Sequence, residues 1–154
     1  MKYLFLLFIL LTMTSCRLYM DKEAGIYINN QSDNDLYMGI GFDSISSFYT
    51  PPDYFAFDDF SLCKQNEEKY FICTGLFWDE YFKANNLKTL SIFLLDSDTV
   101  QTYDIQTLKE GYKIKCRYDV TLKDLDIFRC TFTYPPTPEM RDIKMWPPYS
   151  TFEK

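Results

Sequence analysis

The sequence contains no histidine, no CxxC pair of cysteines and no apolar run longer than nine residues. Without histidine, the chain cannot build a Ser-His-Asp or Cys-His catalytic arrangement or a histidine-ligated metal site. A run of nine is too short for a membrane-spanning helix, which needs about 20 apolar residues. Acidic residues outnumber basic ones by 22 to 16, whereas nucleic-acid binding needs clustered Lys and Arg. These absences predict no metal, no cofactor, no nucleic-acid partner and no enzymatic activity.

The residues that are present have the composition of a globular protein. Hydrophobic residues make up 47% of the chain and charged residues 25%, and a length of 154 residues predicts one domain. A hydrolase without histidine would need two carboxylates or a Ser-Lys pair. No G-x-S-x-G motif is present. The adjacent acidic pairs are more typical of a solvated surface than of an acid/base pair: Asp58-Asp59, Glu67-Glu68 and Asp79-Glu80.

The first 16 residues, MKYLFLLFILLTMTSC, have the pattern of an export signal. Lys2 supplies the positive charge, and the apolar run from Tyr3 to Leu11 precedes small polar residues where a peptidase would cut. This arrangement resembles the lipobox of bacterial lipoproteins, in which Cys16 becomes the lipidated N-terminus. The resemblance implies a diacylglycerol thioether and an N-acyl chain such as palmitate, and two or more chains make a stable anchor.

Export and lipidation predict a protein of the cell envelope, anchored to the outer membrane, with the periplasmic and the surface face both left open. Removing the signal leaves 139 residues (154 minus 15) with a net charge of −7, because Lys2 is lost. The C-terminal tail has five prolines in 20 residues, but Ile143 and Trp146 predict that part of it docks. The predicted organisation is a signal peptide at 1–15, a lipidated cysteine and tether at 16–24, one globular domain at 25–134 and this tail at 135–154.

Four cysteines remain beside Cys16, and an even number in an exported chain makes disulfide bonds plausible. Pairing Cys63 with Cys73, or Cys116 with Cys130, would close short loops. The alternative is that these thiols stay reduced and pack as small hydrophobic side chains. Their scattered positions do not favour a zinc site.

Apolar alternation predicts most of the strands. Ile26 and Ile28, a turn rich in Asn and Asp, and the alternating residues 36–42 predict an antiparallel hairpin. The segment KTLSIFLL at 88–95 is apolar on both faces, as in a central strand. Residues 113–120 predict a half-buried strand whose Arg117 and Asp119 face outward around an inward Tyr118.

Three short helices are predicted between these strands. The first contains Phe77, Trp78, Tyr81 and Phe82, and the second spans residues 105–112. The third begins with the capping box of Thr121 and Asp124, and its residues Leu122 and Leu125 are predicted to point inward. A turn is predicted at 96–99. The fold class is α+β, a mainly antiparallel sheet or sandwich of about six short strands with three short helices.

An aromatic-rich segment from Asp43 to Leu62 lacks a strand or helix pattern. Long loops of this kind are often functional, and exposed rings stack on sugars and other flat apolar faces. The alternative is a satellite core under the loop. Together with two tryptophans elsewhere, the candidate aromatic ligand contacts are Tyr49, Tyr54, Phe55, Trp78 and Trp146.

Two longer strings, TLSIFLLDSDTVQTYDIQTLKEGYKIKCRYDVTLKDL and TFTYPPTPEMRDIKMWPPY, extend over much of the domain. Together with GIYINNQSDNDLYMGI after the lipobox, they resemble a group of small exported lipoproteins common in Bacteroidota. The resemblance implies the compartment and the domain boundaries, and it implies no active site.

The sequence therefore predicts a lipid-anchored, non-catalytic binding or interaction module with a protein or glycan partner. Its alternatives are an accessory or structural subunit of an envelope assembly, and a carboxylate-dependent hydrolase.

Overall fold

A computed structural model describes residues 24–41, 48–49, 62–74, 77–110 and 113–153. In chain order the strands are β1 (Ala24–Asn30), β2 (Leu36–Gly41), β3 (Phe48–Tyr49), β4 (Leu62–Cys63), β5 (Glu68–Thr74), β6 (Leu90–Asp96), β7 (Cys116–Val120), β8 (Thr131–Tyr134) and β9 (Lys144–Trp146). The α-helices are α1 (Trp78–Ala84), α2 (Ser97–Thr102), α3 (Ile105–Glu110) and α4 (Leu122–Ile127).

The strands form two sheets that pack on a shared core. The small sheet has the order β5-β1-β8, and the large sheet has the order β3-β2-β6-β7-β9, with β4 also paired to β2. All of the strand pairs are antiparallel except β1 with β8. The main core takes apolar side chains from both sheets, among them Ile28, Leu36, Ile92, Tyr118 and Phe132. The α+β prediction with mainly antiparallel sheets is confirmed.

The predicted hairpin of β1 and β2 is wrong, because the two strands belong to different sheets. The turn between them is organised by Asn30, whose side chain is 0% exposed. Its amide nitrogen donates to the carbonyls of Asn34 (2.8 Å), Lys64 (3.1 Å) and Cys63 (3.2 Å). Its amide oxygen accepts from the backbone N–H and the hydroxyl of Ser32. One buried amide therefore fixes the crossing from one sheet to the other.

Strand β6 is buried on both faces, as its sequence predicts. Leu90, Ile92 and Leu94 contribute to the main core. Phe93 and Leu95 form a second apolar cluster on the opposite face with two residues outside β6, Leu108 and Ile114.

The helices follow from local signals with one exception. Thr121 and Asp124 form both bonds of the predicted capping box at the start of α4. The turn predicted at 96–99 is wrong, since helix α2 begins at Ser97 directly after β6. No helix in the described part of the chain is long and apolar enough to cross a bilayer.

The proline-bearing tail packs against the domain. Met140 and Ile143 are buried in the main core, and β9 pairs with β7 at the edge of the large sheet. Trp146 is the last residue of β9, and its side chain is exposed.

Candidate binding cleft

The structure separates the residues that the sequence singles out as aromatic ligand contacts. Trp78 is the first residue of α1, and Trp146 lies at the edge of the large sheet. Tyr49 belongs to β3, which pairs with β2. Tyr54, Phe55 and the lipidation residue Cys16 lie outside the described residues.

Trp78 lines an open cleft of about 360 Å³, to which α1 and α4 both contribute. Its indole packs edge-on against the Tyr81 ring, with ring centroids 5.8 Å apart, which fixes the side chain on α1. The remaining described residues around the cleft come from the start of α1, from α4 and from the turn after α4: Phe77, Asp79, Leu122, Leu125, Asp126 and Cys130.

Apolar groups in this cleft are accessible to solvent. Phe77 and Leu122 are each 38% exposed, whereas Leu125 is buried in the main core. The prediction that Leu122 points inward is therefore wrong. Its position at the start of α4 places it beside the cleft rather than in the core. Exposed apolar side chains around a concave surface are typical of interaction sites.

The inner part of the cleft holds an indole and a thiol. The Nε1 atom of Trp78 is buried and interacts with the Cys130 thiol. Burial raises the pKa of the Cys130 thiol, and the nearby Asp126 carboxylate raises it further, while the Trp78 indole opposes both effects. Cys130 is therefore a protonated, weakly nucleophilic thiol at neutral pH.

Two carboxylates complete the cleft. Asp79 in the first turn of α1 and Asp126 on α4 are both exposed. Among the described residues that line the cleft, none is basic. The site thus combines accessible apolar surface with negative charge.

The cysteines do not pair in the described structure. Cys63, Cys116 and Cys130 are free, so the bond proposed between Cys116 and Cys130 is not formed. Cys63 and Cys116 are fully buried in the main core, where they pack as small hydrophobic side chains. The side chain of Cys73 lies outside the described residues.

The buried thiols of Cys63 and Cys116 predict that the stability of the domain falls at alkaline pH. Burial raises the pKa of Cys63 to about 11 and that of Cys116 to about 12, from an ordinary value of 9.0. Above pH 9 the unfolded chain loses these protons while the folded chain keeps them, so the free energy of unfolding falls as pH rises. We expect a fall of up to about 1.4 kcal/mol per pH unit for each thiol. Urea unfolding at pH 8, 9, 10 and 11 measures it.

The matched variant is Cys116→Ala, which is less stable at every pH but has a shallower slope above pH 9 because one titrating group is gone. An unchanged slope in this variant would contradict the assignment to Cys116.

A second group of polar side chains joins three strands of the large sheet. Asp119 accepts hydrogen bonds from the Ser91 hydroxyl (2.7 Å) and from Nη2 of Arg117 (2.8 Å), and the Lys144 ammonium lies 3.3 Å away. We call these four residues the charge cluster. Tyr118 faces the main core as predicted, and Asp119 belongs to neither apolar cluster. However, Asp119 is only 5% exposed, so its outward-facing side chain is buried by its polar partners. The cluster connects β6, β7 and β9.

Asp33, Asp35, Asp96 and Asp98 line a polar depression elsewhere. Within the described ranges, however, no three Cys, Asp or Glu side chains are grouped so that they could hold a metal ion. Asp96 is already paired with the Lys115 ammonium, at 2.7 Å. This depression therefore has the character of a solvated acidic surface.

Sequence reasoning selects Trp78 but misses Phe77, Leu122 and Asp126. The available signal is an apolar residue at or just before the first position of a short helix, which occurs at both α1 and α4. Comparison with known proteins adds no further site, because no family model, curated protein or solved structure matches the chain.

Proposed function

We propose that this chain is a non-catalytic binding module of the bacterial cell envelope, anchored by lipid on Cys16, with its ligand site in the Trp78 cleft. The observation that carries the proposal is the exposure of Phe77 and Leu122 around one concave surface that also bears carboxylates. Ligand sites commonly combine apolar walls with a few polar groups that orient the ligand.

The anchor is supported by the lipobox-like N-terminus and by the resemblance to exported lipoproteins. Seven residues separate Cys16 from the start of β1 at Ala24, which makes eight steps from one Cα atom to the next. At roughly 3.5 Å per residue, a fully extended tether could span no more than about 28 Å. The domain would therefore remain close to the bilayer surface and could engage ligands in that layer.

A hydrolase with two carboxylates is less well supported by the same cleft. Asp79 and Asp126 share it, but both side chains are exposed. A glycosidase keeps its acid in an apolar environment that holds it protonated. Binding is therefore the activity that the arrangement supports best.

Binding can be tested through the fluorescence of Trp78, since the chain has two tryptophans and Trp146→Phe leaves one. We expect capped peptides or neutral oligosaccharides to change the emission of this variant in a saturable way, because bound groups alter the environment of the indole. Leu122→Ala should weaken binding about tenfold through the loss of apolar contact, about 1.4 kcal/mol. Trp78→Phe in the same Trp146→Phe background removes the last tryptophan and is the control that should give no signal. Absence of binding by both classes at millimolar concentration would contradict the proposal.

The anchor has a separate test in cells. A palmitate analogue should label the wild-type chain and not Cys16→Ala. Equal labelling of the two would overturn lipidation at Cys16.

A further inference from the structure

We infer that the Trp78 cleft binds a basic side chain, arginine above all, presented between apolar residues by a polypeptide partner. This inference rests on the proposed binding function and specifies its ligand class. It is carried by the charge, the hydrogen-bonding chemistry and the apolar surface of the cleft.

The charge of the cleft favours a cationic group. Asp79 and Asp126 stand on two different helices and line the same concavity, and no described lining residue is basic. The chain as a whole carries a net charge of −6. Anionic ligands are therefore repelled at long range and at the site, while cationic ligands are attracted.

The carboxylates of the cleft require hydrogen-bond donors on the ligand. An ionised carboxylate accepts hydrogen bonds and donates none. Among the described lining residues, the other polar side-chain groups are the Cys130 thiol, a weak donor, and the indole of Trp78, whose nitrogen is buried. A sugar hydroxyl both donates and accepts hydrogen bonds. The described side chains of the cleft offer it few hydrogen-bond donors. A guanidinium group has five N–H donors and no acceptor, which matches a site built from carboxylates.

The apolar surface of the cleft suits both the guanidinium group and the apolar residues that flank the arginine in the proposed ligand. A guanidinium is weakly hydrated and packs on aromatic faces, where the ring quadrupole attracts it. Phe77 and Trp78 supply aromatic rings to the cleft, and Leu122 supplies exposed aliphatic surface. Apolar residues on either side of the arginine would cover Phe77 and Leu122. A polypeptide provides both parts of this ligand in one chain.

The acidic depression beside α2 lacks this combination. It is lined by Asp33, Asp35, Asp96 and Asp98 with little apolar surface, and Lys115 already neutralises Asp96. The Trp78 cleft is distinguished from it by two carboxylates with no basic residue among the described lining residues, next to aromatic rings.

The test uses acetyl-Leu-Arg-Leu-amide as the probe and the same peptide with citrulline as its matched control, because citrulline keeps the shape of arginine and removes its charge. Binding is followed by Trp78 fluorescence in the full chain carrying Trp146→Phe. We expect the arginine peptide to bind about tenfold more tightly than the citrulline peptide, the effect of a charge-assisted hydrogen bond. Its affinity should also fall as salt rises.

Asp79→Asn and Asp126→Asn test the two carboxylates separately. Each should reduce the preference for arginine over citrulline, whereas Glu80→Gln should leave it unchanged, because Glu80 is exposed on α1 but does not line the cleft. Circular dichroism confirms that the variants are folded.

A second readout does not depend on fluorescence. Bound arginine peptide should slow alkylation of Cys130, and the site of alkylation is identified by mass spectrometry. Equal affinity for both peptides, or a preference that survives in both Asp variants, overturns the inference. Binding of neutral oligosaccharides without binding of the arginine peptide also overturns it, although the proposed binding function would then stand.

Discussion

Asn30→Asp should destabilise the domain by about 4 kcal/mol at neutral pH, a large part of the stability of a domain of this size. The substitution preserves shape and replaces the NH₂ group by an oxygen that faces the backbone carbonyls of Cys63 and Lys64 as well as that of Asn34. Three acceptors lose their donor, and a buried carboxylate faces carbonyl dipoles. Urea unfolding of wild type and variant measures the difference.

The pH dependence of this variant distinguishes charge from lost packing. Burial and the facing carbonyls would raise the pKa of the new carboxyl above its unfolded value. Stability is then greatest below the unfolded pKa and is lost as pH rises through the folded one. The variant should therefore recover part of its stability, relative to wild type, between pH 7 and pH 4. Asn85→Asp is the matched control, since the Asn85 amide is exposed and makes one bond to the Tyr81 carbonyl. A loss no larger at position 30 than at position 85 would contradict the role of Asn30.

Asp119→Ala should cost about 3 kcal/mol. Removing one partner of a buried ion pair typically costs about 3–5 kcal/mol. The value is reduced here because Arg117 keeps some contact with solvent. The buried Ser91 hydroxyl also loses its acceptor. Equilibrium unfolding measures the change.

Two further variants measure how much Lys144 and Ser91 contribute to stability through the charge cluster. Lys144→Ala should change stability by less than about 0.5 kcal/mol, because the Lys144 side chain is 79% exposed and surface pairs contribute little. Ser91→Ala in the Asp119→Ala background should cost less than Ser91→Ala alone, since the two residues interact. A cost of Asp119→Ala as small as that of Lys144→Ala would show that burial does not strengthen the pair.

Local sequence pattern correctly predicts those elements whose surroundings in the fold require the conformation that the local residues already favour. The capping box of α4 is correct because both of its bonds form within four residues. Strand β6 is correct because a segment with apolar residues on both faces buries both of them, here in two separate cores. The hairpin of β1 and β2 fails because alternation reports one buried face and does not report which sheet the strand joins. That choice depends on carbonyls more than 30 residues away, which bind Asn30.

The same limit applies to the sites. Asp119 looks exposed by alternation, and its burial depends on Ser91 and Lys144, which come from other strands. Trp78 is recognisable as a large ring near the start of a helix. Its partners in the cleft, Leu122 and Asp126, come from a helix about 45 residues later, and no periodicity connects them.

If Cys16 carries the lipid anchor that we propose, the position of β1 has a mechanical consequence. The strand that follows the tether is the middle strand of its sheet, with β5 on one side and β8 on the other. Force applied through such an anchor would be borne by two ladders of hydrogen bonds, to β5 and to β8, and β8 lies in the C-terminal part of the chain. An edge strand in this position would have one such ladder, whereas β1 has two.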